Sequence, residues 1–139
     1  MCELFRDLRT RQLVEVAAMA DEVLLKPDEM LLEEGEPAHY IFVVLEGRGV
    51  AQLEMALGFL SLGLVGPTEA AGWTSLVGDE VYPAAVKALT PLRAARIDSA
   101  RLVRLMDMDP ALGYAIGKSL SRLFCRQYKT ALEAFKTSE

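Results

Sequence analysis

Leu32-Glu33-Glu34-Gly35-Glu36-Pro37-Ala38-His39-Tyr40-Ile41-Phe42-Val43-Val44-Leu45-Glu46-Gly47 is the stretch on which the fold turns. Its second half, Tyr40 to Leu45, is an aromatic and β-branched run, the composition that suits a pleated, half-buried strand. Gly35 and Gly47 stand at its two ends, where a tight hairpin needs a positive φ that glycine supplies without steric cost. They speak for turn geometry and not for chemistry. Glu33, Glu34 and Glu36 sit in the bend before Pro37, so they read as a solvated turn and not as paired acid/base carboxylates. His39 has no Cys or Asp partner at metal-ligand spacing and reads as a hairpin surface residue.

The same short-strand signal recurs from Glu22 to Asp98. Val23–Leu25 and Met30–Leu32 precede the hairpin; Gly49–Leu53, Phe59–Leu62, Ala84–Leu89 and Leu92–Ile97 follow it. Gly63 and Gly66-Pro67 mark turns between them, and a short helical turn begins near Thr74. Strands every ~8–12 residues with Gly/Pro punctuation predict a barrel or sandwich. The flanks change period. Leu4, Leu8, Leu13, Val16, Ala17 and Ala20 recur at about 3.6 and predict one helix over residues 3–20, with Glu3 and Asp7 in its early turns. Ser99 restarts a helix as its cap, over residues 99–108, and Asp109-Pro110 opens a long one over residues 110–136. The expected architecture is therefore a single domain over residues 1–139, mainly β, with a β-barrel over residues 22–98, one N-terminal helix and two C-terminal helices.

The composition agrees with that and narrows the function classes. With 139 residues, 52% hydrophobic and 25% charged, the chain has the means for one buried core and is no disordered segment. A formal charge of −5 supplies no field toward nucleic acid. No apolar run reaches the ~18 residues of a membrane helix, and the start carries both charges from its third residue, unlike a signal peptide. A cytoplasmic protein is expected. Two cysteines far apart and one histidine exclude a disulfide framework and a zinc cluster. Cys125, beside Phe124, is expected to be a buried or interface thiol, while Cys2 says little. Neither a Ser-His-Asp set, a Walker loop nor a dinucleotide fingerprint is present, so no enzyme is expected.

This layout resembles the cyclic nucleotide-binding domain, the sensor half of Crp/Fnr-type regulators, with a jelly-roll (double-stranded β-helix) barrel. The hairpin Leu32–Gly47, the turn Val65-Gly66-Pro67, Ala71-Gly72 followed by Leu76, and Ala84-Ala85-Val86-Lys87-Ala88 carry the resemblance, which spans about residues 4 to 135. In the family a short helix offers backbone N–H groups to the cyclic phosphate, a Glu beside the glycine holds the ribose hydroxyl, and an Arg at the next strand pairs with the phosphate. Here Gly72 keeps the glycine, but Trp73 stands where the Glu belongs and Tyr82, with Pro83 beside it, where the Arg belongs. Asp79 and Glu80 add negative charge, and Lys87 is the nearest cation. Losing two charged hydrogen bonds at about 1.5–3 kcal/mol each corresponds to roughly 10²- to 10⁴-fold in affinity.

Two readings of that cassette stay open. Gly72, Trp73, Thr74, Ser75, Tyr82, Pro83 and Ala84 form a pocket for another small-molecule effector, flat and uncharged or aromatic, with Thr74 and Ser75 orienting it; or the two rings fill the vacated space and no ligand binds. Either way no cofactor is expected, and cyclic AMP is not expected to bind in the usual manner. On the long helix Leu112, Ile116, Leu120 and Leu123 form one apolar stripe and Phe124, Tyr128, Ala131 and Phe135 another, wider than one barrel face covers. The family often pairs this helix with its copy, so a homodimer through Ile116, Leu120, Leu123, Phe124 and Tyr128 is expected. Gly113, Gly117 and Ser121 form a small-residue row, which a neighbouring backbone or the chain's own barrel would use equally well. Lys118, Arg122, Arg126, Lys129 and Lys136 read as a solvated face. The regulators continue into a helix-turn-helix; with the sequence ending at Glu139, this chain alone is expected to contact neither DNA nor a membrane.

Overall fold

The computed structural model describes residues 2–78 and 80–137. Eight strands form two four-stranded antiparallel sheets that face each other: β1 (Ala20–Leu25), β8 (Leu92–Asp98), β3 (Tyr40–Glu46) and β6 (Ala70–Ala71) in one, and β2 (Met30–Leu32), β7 (Ala85–Ala88), β4 (Gly49–Met55) and β5 (Gly58–Val65) in the other. Helices α1 (Thr10–Ala17), α2 (Ser99–Met108) and α3 (Pro110–Thr137) pack outside the first sheet. At 1.5 Å per residue the 28 residues of α3 span about 42 Å.

The run Tyr40–Leu45 is the hub because its two faces feed two separate cores. Side chains alternate across a strand, so Phe42 and Val44 point into the barrel with Leu31, Leu32, Tyr82, Val86, Leu92 and Ala94. Ile41 and Val43 point the other way, into a second core with Leu4, Phe5, Val16, Ile97, Leu102, Leu112, Ile116 and Leu120. Gly47 closes the hairpin at φ 88°, where a Cβ would lie 2.1 Å from the carbonyl oxygen of Pro91, so the turn excludes every side chain.

Several boundaries depart from the sequence reading. The helix expected over residues 3–20 is broken: a single 3-10 turn, Glu3–Phe5, is followed by α1, and Ala20 already belongs to β1, paired with Ile97. The break lets Leu4, Phe5 and Leu8 enter the core. It also turns Glu3 and Asp7 toward α3, where they meet Arg126 at 2.6 Å and Arg122 at 2.9 Å. Those two arginines are thus ion-paired clamps and not part of a plain solvated face. Gly63 does not turn the chain but lies within β5, beside a bulge that sets Ala51 opposite Gly63 and Gln52 opposite Ser61. Asp98, not Ser99, caps α2 by accepting the Arg101 N–H at 3.0 Å. Cys125 is exposed, whereas Cys2 is buried in the helical core.

The small-residue row of α3 is put to intramolecular use at one point. A Cβ on Gly113 would lie 2.6 Å from the Met106 carbonyl oxygen, so glycine there lets α2 come close, while Gly117 faces open space. Asp109 joins the helical layer together: its Oδ1 accepts the Leu112 N–H at 3.2 Å at the start of α3, and its Oδ2 lies 3.5 Å from Nε2 of Gln12 on α1. Among the described residues no helix is long and apolar enough to cross a membrane, and no group of three or more His, Cys, Asp or Glu side chains is placed to hold a metal.

Candidate functional site

After β6 the chain reaches Gly72 at φ 75°, a conformation that costs a non-glycine residue about 1–2 kcal/mol. A Cβ there would also lie 2.9 Å from the Tyr40 carbonyl oxygen. Glycine therefore lets the chain turn tightly against β3 and enter the 3-10 helix Trp73–Val77, which Gly78 ends at φ 94°. Ser75 fastens this helix: its hydroxyl donates to the Gly72 carbonyl at 2.7 Å and shares a 2.6 Å hydrogen bond with the hydroxyl of Ser99. Both serines are buried, so the pair ties the cassette to the first turn of α2.

Tyr82 is held just as firmly. Its N–H donates to the Glu36 carbonyl at 3.0 Å and its carbonyl accepts the Gly35 N–H at 2.9 Å, which locks it onto the first hairpin. Its phenol oxygen accepts the Tyr40 N–H at 3.1 Å and donates to the Tyr40 carbonyl at 2.7 Å. Burial pushes the phenol pKa above its ordinary value, so the hydroxyl stays protonated and able to donate at neutral pH. Trp73 packs edge-on against Phe124 of α3, ring centres 4.8 Å apart, a favoured aromatic arrangement.

These two rings do not fill the space between them. A cavity of about 530 Å³ is lined by Ala70 to Thr74, by Tyr82, Pro83, Ala84 and Val86, by Leu62 to Val65 of β5, by Cys2, Glu3 and Leu4, and by Leu123, Arg126 and Gln127 of α3. That volume lies in the range of small-molecule sites, ~300–1,000 Å³. Six of the seven residues predicted for the pocket, Gly72, Trp73, Thr74, Tyr82, Pro83 and Ala84, are on its wall. Ser75 is not: its hydroxyl is fully engaged behind the wall, which corrects its expected role in orienting a ligand. Lys87 is also elsewhere, 4.0 Å from Asp28, so it does not stand in for the arginine. Asp79 lies outside the described residues. Thr74 Oγ1 is buried with no hydrogen-bond partner, a costly state for a hydroxyl unless a partner arrives.

The wall contributed by residues 2–4 and by Arg126 and Gln127 has no signature in the sequence. An ion pair between positions 3 and 126 leaves no local pattern, although two acids four apart, Glu3 and Asp7, matching two arginines four apart, Arg122 and Arg126, would have been the signal to seek. On α3 the predicted dimer residues divide. Ile116 and Leu120 are 0% and 4% exposed within the chain's own core, which removes them from any partner-facing surface. Leu123 is partly buried and lines the cavity, whereas Phe124 and Tyr128 remain exposed, Tyr128 at 66%.

Comparison with known proteins agrees with this geometry. The model of the cyclic nucleotide-binding domain matches residues 22–109. No curated protein matches the chain significantly. Among solved structures, the N-terminal domain of a transcriptional regulator from Streptomyces coelicolor is 27% identical, with a TM-score of 0.78 over 89% of both chains. The catabolite activator protein of Thermus thermophilus is 20% identical with a TM-score of 0.82; 98% of this chain is matched but only 63% of the activator. The sensor domain of the transcriptional regulator DNR from Pseudomonas aeruginosa, 22% identical, gives a TM-score of 0.77 over 94% of this chain and 87% of that one. Two facing antiparallel sheets, a glycine-led 3-10 helix between β6 and β7, a long covering helix and a family match over residues 22–109 lead to one assignment: the chain belongs to the cyclic nucleotide-binding domain family.

Proposed function

We propose that this domain is a sensory or regulatory module whose cavity takes a small-molecule effector other than a cyclic nucleotide held in the family's usual way. One observation carries the reading: the cavity of about 530 Å³ persists beside Gly72, while the positions that the resemblance assigns to an acid and an arginine are Trp73 and Tyr82. Tyr82 has its phenol tied to the Tyr40 backbone, so no side chain at that position offers a charge to a phosphate. A wall that includes Leu32, Leu62, Leu64, Val65, Trp73, Val86 and Leu123 favours a ligand with a flat apolar body. Equilibrium dialysis with cyclic AMP, beside a thermal-shift screen of aromatic metabolites, tests it. Weak cyclic AMP binding together with a stabilising metabolite is expected; tight cyclic AMP binding would refute the altered pocket.

A second role, assembly of two copies through α3, is favoured by a separate observation. Phe124, Tyr128 and Leu132 form an exposed row at helical spacing, and the β4–β5 hairpin exposes Met55, Leu57, Phe59, Leu60, Leu62 and Leu64. Sedimentation equilibrium on the chain and on a Phe124→Ser/Tyr128→Ser variant tests this. A dimer that the variant weakens at least tenfold is expected, and a monomer at high micromolar concentration would exclude it.

A further inference from the structure

Among the described residues that line the cavity, Arg126 is the one side chain with a positive charge. It comes from α3 and not from the cassette, where Tyr82 stands at the position that the resemblance assigns to a phosphate-binding arginine. Its guanidinium already holds a carboxylate, Glu3, at 2.6 Å, and Glu3 lines the same cavity. The arginine side chain is 57% exposed and the glutamate 32%, so water reaches the pair and another carboxylate can compete for the guanidinium. The other lining carboxylate, Glu69, is occupied at the preceding turn, where its Oε1 accepts the Gly66 N–H at 2.9 Å. Glu3, Glu69 and Arg126 sum to a charge of −1; with Glu3 swung into solvent the remaining pair sums to zero. A ligand with one negative charge returns the sum to the −1 it has with Glu3 in place, whereas a doubly charged ligand takes it to −2.

From this we infer that the effector of this cavity is an aromatic monocarboxylic acid, whose carboxylate replaces Glu3 on Arg126 while its apolar body lies against Trp73 and the apolar wall. The exchange conserves charge at the arginine: one carboxylate leaves the guanidinium and another takes its place. The inference rests on the effector-binding reading above and adds the chemical class of the ligand and the residue that selects it.

Isothermal titration of the whole chain with 2-naphthoate, indole-3-acetate and 3-phenylpropanoate, each beside its primary amide, provides the test. At least one acid is expected to bind about tenfold or more tightly than its amide, the worth of one charged hydrogen bond. Arg126→Gln is expected to remove that preference, and Glu3→Gln to tighten the acid by about two- to fivefold by removing its competitor. Arg122→Gln, which breaks the neighbouring ion pair outside the cavity, is expected to leave the preference unchanged and so controls for loosening of the amino-terminal segment. Acid and amide binding alike, or a preference that survives Arg126→Gln, would overturn the carboxylate inference while leaving effector binding intact. Silence from every acid and amide would count against both.

Discussion

Tyr82 and Tyr40 are joined through a single phenol oxygen that both accepts the Tyr40 N–H and donates to the Tyr40 carbonyl. The side chain that the resemblance sets against the family's arginine thus completes the edge of a strand. Tyr82→Phe keeps the ring and removes both bonds, leaving part-buried backbone groups without that partner at about 1–3 kcal/mol. A lower urea midpoint with an unchanged slope should report it, and an unchanged midpoint would show that water replaces the phenol.

Gly47 carries a sharper expectation. Gly47→Ala forces a side chain into a left-handed conformation and against the Pro91 carbonyl, two effects that together cost about 2–5 kcal/mol. Gly35, at a similar φ but with nothing within 4 Å of a built Cβ, should lose only the conformational part, about 1–2 kcal/mol. Thermal unfolding of the two alanine variants separates strain from collision.

Asp109→Ala removes the side-chain cap of α3 and the contact to Gln12. Capping losses run to about 1 kcal/mol. Chemical denaturation followed by circular dichroism at 222 nm should show a drop of that size.

The Arg122 guanidinium donates to Asp7 and holds its carboxyl below the ordinary carboxylate range. A depressed folded value means that this contribution is present above the unfolded pKa, about 3.9, and fades as acid titrates through the folded one. In Arg122→Gln the Asp7 carboxyl, followed by carbon-detected NMR, should titrate at higher pH, and acid unfolding below about pH 4 should lose part of its steepness.

The two cysteines should differ in reactivity. Burial pushes the Cys2 thiol above its ordinary pKa, while Cys125 is exposed. Thiolate is the reactive form, so at pH 8 a disulfide reagent should label Cys125 at least tenfold faster. Equal rates would mean that the amino-terminal segment opens readily.

Much of this fold was legible in residues 32–47, because glycines at both ends and an unbroken β-branched run constrain a hairpin whatever surrounds it. Gly72, Trp73 and Tyr82, which the resemblance sets against the family's glycine, acid and arginine, do line one cavity. What stayed hidden was long-range. The apolar spacing of residues 4–20 matched a helix, yet burying Leu4, Phe5 and Leu8 together prevailed over helical continuity. Ile116 and Leu120 looked identical in pattern to Phe124 and Tyr128, and only packing against Ile41 and Leu102 separates core from surface. Ser75 looked like a ligand contact because its partner, Ser99, lies 24 residues away.

Strand β3 places apolar side chains in both cores at four successive positions, Ile41 to Val44. A slip of one residue ordinarily drives polar groups inward, and that penalty is what fixes alignment in a half-solvated strand. Here a slip would merely trade one greasy pair for another, so the strand has little means of knowing its own place. Alignment is imposed from its ends instead: a turn at Gly47 that admits no side chain, and Tyr40, whose N–H and C=O are both held by one phenol.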